Sequence, residues 1–251
     1  FIMGFAPYIT WNKFTLLKQQ SRQCIFYLLL AIFLAMLLVR GLGHHYVADF
    51  NFFAFFIASL CLWLVVNTLG QLFFRLKHGG FSFDSYSQLS LSYYGMVIAH
   101  IGMAVMILGI GMTSIYESQK DVRMAINDNV SVNAYRYQLS KISSVTASNY
   151  DATRASVDVY HDSSGEPPRL ITTLYPEKRF YRASRNMMTE AGIDASLSRD
   201  LYVSLGEQLE PGVWAVRVHV KPLVRWIWLG AILIALSLIH ISEPTRLLSI
   251  S

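Results

Sequence analysis

The sequence predicts a multi-span α-helical membrane protein with a small antiparallel β domain inserted before its last span, and three observations predict it. Of 251 residues, 53% are hydrophobic and only 15% charged, whereas soluble domains carry roughly 25% charged residues. The charges also avoid four stretches, since 24–39, 50–74, 85–116 and 226–242 contain no Asp, Glu, Lys or Arg. Between the third and fourth stretches the hydrophobic period becomes two, the mark of half-buried strands. The first two observations argue against an ordinary water-soluble enzyme.

Taken in order, residues 1–10 are apolar but short and carry Pro7, and Phe1 is not an initiator Met, so they read as the end of a truncated span. Residues 11–23 form a polar loop with Lys13, Lys18 and Arg22. A crossing helix needs about 20 apolar residues, and a backbone that must satisfy itself inside lipid leaves helix as the only form for such runs. Spans are therefore expected at about 24–39 with some flanking residues, 51–74 and 93–115, giving three transmembrane helices with short loops over 24–115. A last span starts at 223–235. Beyond it, the run LSLIHISEPTR at 236–246 resembles the conceptual translation of a sequencing-library adapter, so 236–251 is expected to be an artefactual tail in which His240, Glu243 and Arg246 carry no meaning.

Orientation follows from the basic residues, because short cytoplasmic loops are enriched in Lys and Arg. The 11–23 loop and the 75–80 connection, with Arg75 and Lys77, belong to the cytoplasmic side, while 40–50, with Arg40 alone, faces outward. Alternation then places 116–222 on the outer face. That segment is nearly neutral: 117–225 holds fourteen Lys/Arg and thirteen Asp/Glu, so +4 of the formal net charge of +5 lies elsewhere, mostly in connections. A nucleic-acid-binding surface would need basic residues clustered on the folded domain, and none is expected.

Within the outer segment, Trp214, Val216, Val218 and Val220 alternate with Ala215, Arg217, His219 and Lys221. Val157 and Val159 lead through Asp162 and Gly165 to Leu170, Thr172 and Leu174, and Leu201, Val203 and Leu205 lead through Gly206 and Gly212 into the Trp214 strand. Both read as hairpins, and together they suggest a small sandwich or barrel. The stretch 182–198 is polar and poorly periodic and reads as a loop with a short helix.

His100 is the most informative residue. It stands near the centre of the third span, where an ionisable side chain is costly and points to function. A neutral imidazole offers one lone pair to a metal while its other nitrogen donates a hydrogen bond, and His is a usual axial ligand of haem iron. Met96 and Met103 lie on nearby turns of the same helix. Gly95, Gly102 and Gly109 recur every seven residues, a stripe that lets a flat group or another backbone approach. The residues alone leave two readings: haem ligand, or interhelical hydrogen-bond donor on a helix with ordinary packing glycines.

The remaining candidates read more simply. His44 and His45 are adjacent and point in different directions, as expected of interfacial polar residues. His78 accompanies Arg75 and Lys77 at the cytoplasmic boundary, and His161 and His219 read as solvated. Trp226 and Trp228 beside Lys221 and Arg225 read as an interfacial anchor. Lys178, Arg179, Arg182 and Arg185 form either a solvated face or a site for haem propionates or an acidic partner. Cys24 and Cys61 both fall in apolar runs, and there is no disulfide framework and no CxxCH. Phosphate loops, nucleophile elbows and HExxH are absent, and no catalytic residue is assigned.

Three motifs together carry a resemblance: YGMVIAHIGMAV at 94–105, DLYVSLGE at 200–207 and WAVRVHVKPLVRWIW at 214–228. Over nearly the whole chain, to about Ala235, the sequence resembles the C-terminal part of the CcmF/NrfE family, the large membrane subunit of the bacterial cytochrome c maturation haem lyase. The resemblance implies a multi-pass protein of the bacterial inner membrane with 116–222 in the periplasm. It implies cytochrome c maturation, in which haem passes from a periplasmic haem chaperone to apocytochrome c with thiol-handling maturation subunits as further partners. It also implies a membrane b-type haem (haem b) held by two histidines, which keeps the transferred haem reduced with quinol as electron donor. His100 aligns with one axial ligand, and Met96, Met103, Gly95 and Gly102 would surround it. The second ligand and the Trp-rich haem-handling segment of the family would lie upstream of Phe1, so this stretch alone is expected neither to hold the haem by two ligands nor to perform ligation. Two competing classes are a non-catalytic membrane transporter or interaction subunit with a periplasmic domain, and a plain quinol-oxidising cytochrome b subunit.

Overall fold

The computed structural model describes residues 18–45, 49–78, 89–162 and 167–241, with the side chains of 18–21, 45, 78, 240 and 241 left aside. The expected span end at 1–10, residues 11–17, the turn around Gly165 and the chain beyond 241 lie outside the described residues. The chain divides into two compact units, a helical one and one built around residues 112–225.

The helical unit contains α1 (Lys18–His45), α2 (Phe52–His78), most of α3 (Leu91–Tyr116) and most of α4 (Val224–Ile241). Helix α1 is already helical at Lys18, where the described residues begin, so 18–23 of the expected loop are helix, as suits Lys, Gln and Arg, which are good helix formers. Caps set the next two starts: Asn51 Oδ1 accepts the Ala54 N–H at 3.0 Å, and Ser90 Oγ accepts the Tyr93 N–H at 3.2 Å. Helices α1, α2 and α3 are long and apolar enough to cross a membrane. Helix α4 has 18 described residues, about 27 Å at 1.5 Å per residue. It continues past the expected boundary at 235.

Each helix buries a face of small residues. On α1, Ala31, Ala35 and Val39 are fully buried while Ile25, Phe26, Leu29, Phe33 and Leu37 stay exposed, the pattern of a helix with one side against protein and the other against lipid. Cys24 and Ala31 pack with Trp63 of α2, and the Tyr27 ring lies so close over Gly70 that a Cβ there would come within 2.6 Å of it. Polar side chains in α2 are satisfied along the helix itself: Asn67 Nδ2–H donates to Trp63 O (2.8 Å) and the Thr68 hydroxyl to Leu64 O (2.7 Å).

The second unit is an antiparallel sandwich. One sheet has the order β1 (Ser118–Ala125), β10 (Val213–Pro222), β9 (Arg199–Glu210), β8 (Gly192–Ala195). The other runs β2 (Asn129–Val132), β3 (Tyr135–Thr146), β4 (Tyr150–His161), β6 (Glu177–Tyr181), β7 (Asn186–Glu190), with β5 (Arg169–Leu174) also paired to β4. Leu201, Val203, Leu205, Val216, Val218 and Val220 are inward positions of the first sheet, and Tyr137, Leu139, Val157 and Val159 of the second; all are at most 2% exposed. Both expected hairpins form, with Val157 opposite Leu174 and Val159 opposite Thr172, and Val203 opposite Val218. The second is tighter than its glycines suggested, because β9 runs on to Glu210 and only Pro211 and Gly212 turn, Gly212 at φ +83°.

The stretch 182–198 corrects the expectation of a short helix: it contains strands β7 and β8. All but the last residue of β7 are exposed, so no alternation marks it, and its pairing with β6 through Phe180 opposite Met187 is what makes it a strand.

Candidate functional site

His100 lies in mid-α3 and is half-buried. Its Nδ1–H donates to the carbonyl oxygen of Met96, one turn earlier, at 2.7 Å. A carbonyl oxygen can only accept, so the proton of the neutral ring sits on Nδ1 and the lone pair on Nε2. This is how metal-binding histidines are commonly oriented, with the second nitrogen tied to a backbone carbonyl. No group of three or more His, Cys, Asp or Glu among the described residues could hold a metal ion. His100 thus offers a single nitrogen donor, Nε2.

The glycine stripe beside it is used for helix packing. A Cβ on Gly102 would meet Gly230 O and Leu233 Cβ of α4 at 2.9 Å, and one on Gly109 would meet Ile227 N at 2.9 Å. From the other side, a Cβ on Gly230 would sit 2.5 Å from Met106 N. Of the two partners the stripe could admit, a flat group or a backbone, the space next to Gly102 and Gly109 holds the α4 backbone. Gly95 is buried, and Met96 and Met103 are half-buried. His44 is exposed at the end of α1; the side chains of His45, His78 and His240 lie outside the described residues.

In the sandwich, His219 is not solvated as its strand position suggested. It is 8% exposed, with Nδ1 2.8 Å from Glu117 Oε1 and its ring edge-on to Tyr202 at 5.0 Å. Burial alone would raise the Glu117 carboxyl, but the hydrogen bonds from His219 and Lys221 and their charge bring it below its ordinary value. Tyr137 crosses the core to donate to His219 O at 3.3 Å, and burial pushes its phenol up. His161 closes β4 with its ring 5.4 Å from that of Tyr135. The alternation of 214–221 could reveal neither arrangement, because the partners come from Glu117, Tyr202 and Tyr135, distant in sequence.

The basic cluster is also structural. Lys178 pairs with Glu207, Arg179 with Glu177 and Glu190, and Arg182 with Asp151, while Arg185 occupies a turn at φ +51°. A depression of about 630 Å³ on the first sheet is lined by Asp121, Arg123, Tyr202, Ser204, Leu209 and Arg217 among others. Its arginines are already paired, Arg217 with Asp121 by two hydrogen bonds and Arg123 with Glu210, so it presents no uncompensated charge to a ligand.

The chain is similar to known proteins. The family model described as CcmF C-terminal beta-sandwich matches residues 115–222. The cytochrome c-type biogenesis protein CcmF of Pseudomonas aeruginosa is 40% identical over 209 residues, 83% of this chain and 31% of that protein. CcmF of Escherichia coli is 40% identical over 178 residues, 71% of this chain and 26% of that protein. The chain belongs to the CcmF/NrfE family. NrfE of Haemophilus influenzae is 31% identical over 214 residues, 85% of this chain and 31% of that protein. A solved structure titled cytochrome c heme lyase CcmF has the same fold, with a TM-score of 0.73 over 97% of this chain and 38% of that one, at 16% identity. This CcmF-family chain is a membrane protein, and it spans 31% and 26% of the length of the Pseudomonas aeruginosa and Escherichia coli relatives.

Proposed function

We propose that this chain supplies one axial ligand, His100, to a membrane b-type haem in a cytochrome c maturation haem lyase. The observation that carries the reading is the Nδ1–H bond to Met96 O, which fixes the tautomer and aims the Nε2 lone pair away from its own helix backbone. The protein sits in the bacterial inner membrane, with the sandwich in the periplasm. The partner histidine belongs to a part of the family's sequence that this chain does not match.

The residues present suit such a group. Helix α3 carries no charged side chain over Leu91–Tyr116, so no ionic group of its own helix competes for the His100 ring. Met96 positions the ring through its carbonyl, and Gly95 and Met103 are the neighbours left to line the haem face. Gly102 serves the haem indirectly, by letting α4 press against α3 and hold the helix carrying the ligand. When bound, a haem with two protein ligands supplies one-electron transfer, here from quinol, which keeps the haem destined for apocytochrome c ferrous. The sandwich, whose described ionic groups are largely paired, acts as a docking surface for apocytochrome c or thiol-handling maturation subunits.

The test uses the full-length protein. His100→Ala should remove or strongly alter the visible spectrum of the bis-imidazole haem, and added imidazole should restore it in part. An unchanged spectrum in the purified variant would overturn the ligand assignment.

A further inference from the structure

We infer that Thr68 of α2 faces the His100 ring of α3 and is a positioning residue for it, turning toward the imidazole an oxygen that has no proton to give. The two helices run antiparallel, and two contacts fix their register. Arg75 lies over the Tyr93 ring, 4.7 Å from its centroid, and a Cβ on Gly111 would sit 3.0 Å from Ile57 Cδ1. Antiparallel neighbours give up one position for each one gained. Seven residues back along α2 from Arg75 is Thr68, and seven residues on along α3 from Tyr93 is His100. Eleven residues further the same register reaches Ile57 and Gly111, which is the second contact. Helices that touch on both sides of a level also meet at it, so Thr68 and His100 stand opposite each other.

The helix faces agree with the register. Steps of seven and eleven residues are close to two and three whole turns, so Tyr93, His100 and Gly111 share one side of α3, beside the buried Val97, Ala104 and Leu108. Ile57, Thr68 and Arg75 share one side of α2 in the same way, and Thr68 is only 5% exposed there. Its neighbour Asn67 belongs to the other side, that of Trp63, which packs with Cys24 and Ala31 of α1. The protons on both groups are already placed. Thr68 gives its own to Leu64 O at 2.7 Å, and His100 gives the Nδ1 proton to Met96 O. That leaves the Thr68 oxygen and His100 Nε2, both acceptors, and two acceptors do not bond. Nε2 makes no hydrogen bond to a described residue. Thr68 therefore leaves Nε2 open to iron, and its oxygen, the negative end of the hydroxyl dipole, favours the more positive, ferric form of a haem bound through that ring.

This inference rests on His100 being an axial ligand, and the experiment separates the two. In the full-length protein, Thr68→Val keeps the shape of the side chain and removes its oxygen, whereas Thr68→Ser keeps the oxygen. Spectroelectrochemical titration of the bound b haem should give Thr68→Val the bis-imidazole spectrum of the parent with a higher midpoint potential. The expected rise is roughly threefold to tenfold in the ferrous-to-ferric ratio at a fixed ambient potential, or about 28–59 mV. Thr68→Ser should keep the parent potential. A parent-like potential in Thr68→Val, or an equal rise in Thr68→Ser, overturns the inference while leaving His100 a ligand. An unchanged spectrum in His100→Ala overturns both. The facing of the two residues is tested without haem, in the full-length protein with its other cysteines replaced. A short bifunctional thiosulfonate should join Thr68→Cys to His100→Cys and should not join Asn67→Cys to His100→Cys. Joining of both pairs equally, or of neither, contradicts the proposal.

Discussion

The helical unit and the sandwich solve the same packing problem in opposite ways. The helices come together by leaving atoms out: Gly70 makes room for the Tyr27 ring, and Gly102, Gly109 and Gly230 bring α3 and α4 within backbone contact. The sandwich comes together by putting atoms in, with Leu201, Leu205, Leu139 and Tyr137 filling the space between its sheets. The solvent explains the difference. In lipid, burying apolar surface against protein gains little over burying it in lipid, so close van der Waals approach must do the joining. In water, removing large apolar side chains from solvent is the main driving force. Charge follows the same division, being excluded from the spans and paired across the strands of the sandwich.

Three substitutions test that contrast, read by hydrogen exchange, which reports local opening in each unit separately. The largest effect is expected from Leu205→Ala, which removes a side chain that is fully buried and should cost about 2–5 kcal/mol of protection in β9 and β10. Loss below about 1 kcal/mol would mean the sandwich core is not close-packed. Next, Gly230→Ala adds one methyl group where a Cβ comes 2.5 Å from Met106 N, and should cost about 1–3 kcal/mol in α3 and α4. The same change at Gly41, which has nothing within 4 Å, should be neutral or slightly stabilising. Equal effects at the two glycines would break the argument that absence of atoms joins these helices.

The smallest effect concerns two buried carboxylates with opposite shifts. At Glu177 burial alone would raise the carboxyl, but hydrogen bonds from Arg179 and Arg154 and their charge hold it below its ordinary value. Burial raises Asp200, whose Oδ1 has no hydrogen-bond partner among the described residues although Arg225 lies 3.8 Å away. A carboxyl lowered on folding stabilises the fold above its unfolded value of about 4.3 and loses that contribution as pH falls toward its folded value; a raised one destabilises above its unfolded value of about 3.9. At pH near 7, Glu177→Gln should therefore cost on the order of 1 kcal/mol, since both arginines remain partly in water, while Asp200→Asn should cost nothing or stabilise. Both differences from the parent should shrink at pH below about 4. A loss at Asp200→Asn that equals that at Glu177→Gln at neutral pH would show that the Arg225 charge, not burial, governs Asp200.

The sequence made some features legible and hid others for definable reasons. The charge-free runs identified the helices because lipid tolerates few alternatives, and the alternation at Val157, Val159 and Leu174 identified a hairpin because each strand buries one face. Strand β7 escaped notice because Asn186, Met187, Met188 and Thr189 are all exposed, so period carries no information there. His219 is hidden for the converse reason: alternation places it on the outer face, and Glu117 and Tyr202, distant in sequence, cover that part of the face. At the candidate site, His100 was evident from its isolation in an apolar helix, but its tautomer was not.

What the sequence by itself determined is therefore the medium of each segment: which runs belong in lipid, which in water, and that one histidine stands where a histidine is costly. These follow from composition and period, which act residue by residue. The tertiary structure alone decided that Gly102 faces the backbone of α4 and that His219 is a buried partner of Glu117. Each depends on groups far apart in the chain meeting at hydrogen-bond or van der Waals distance, and such forces are too short in range for any local pattern to record.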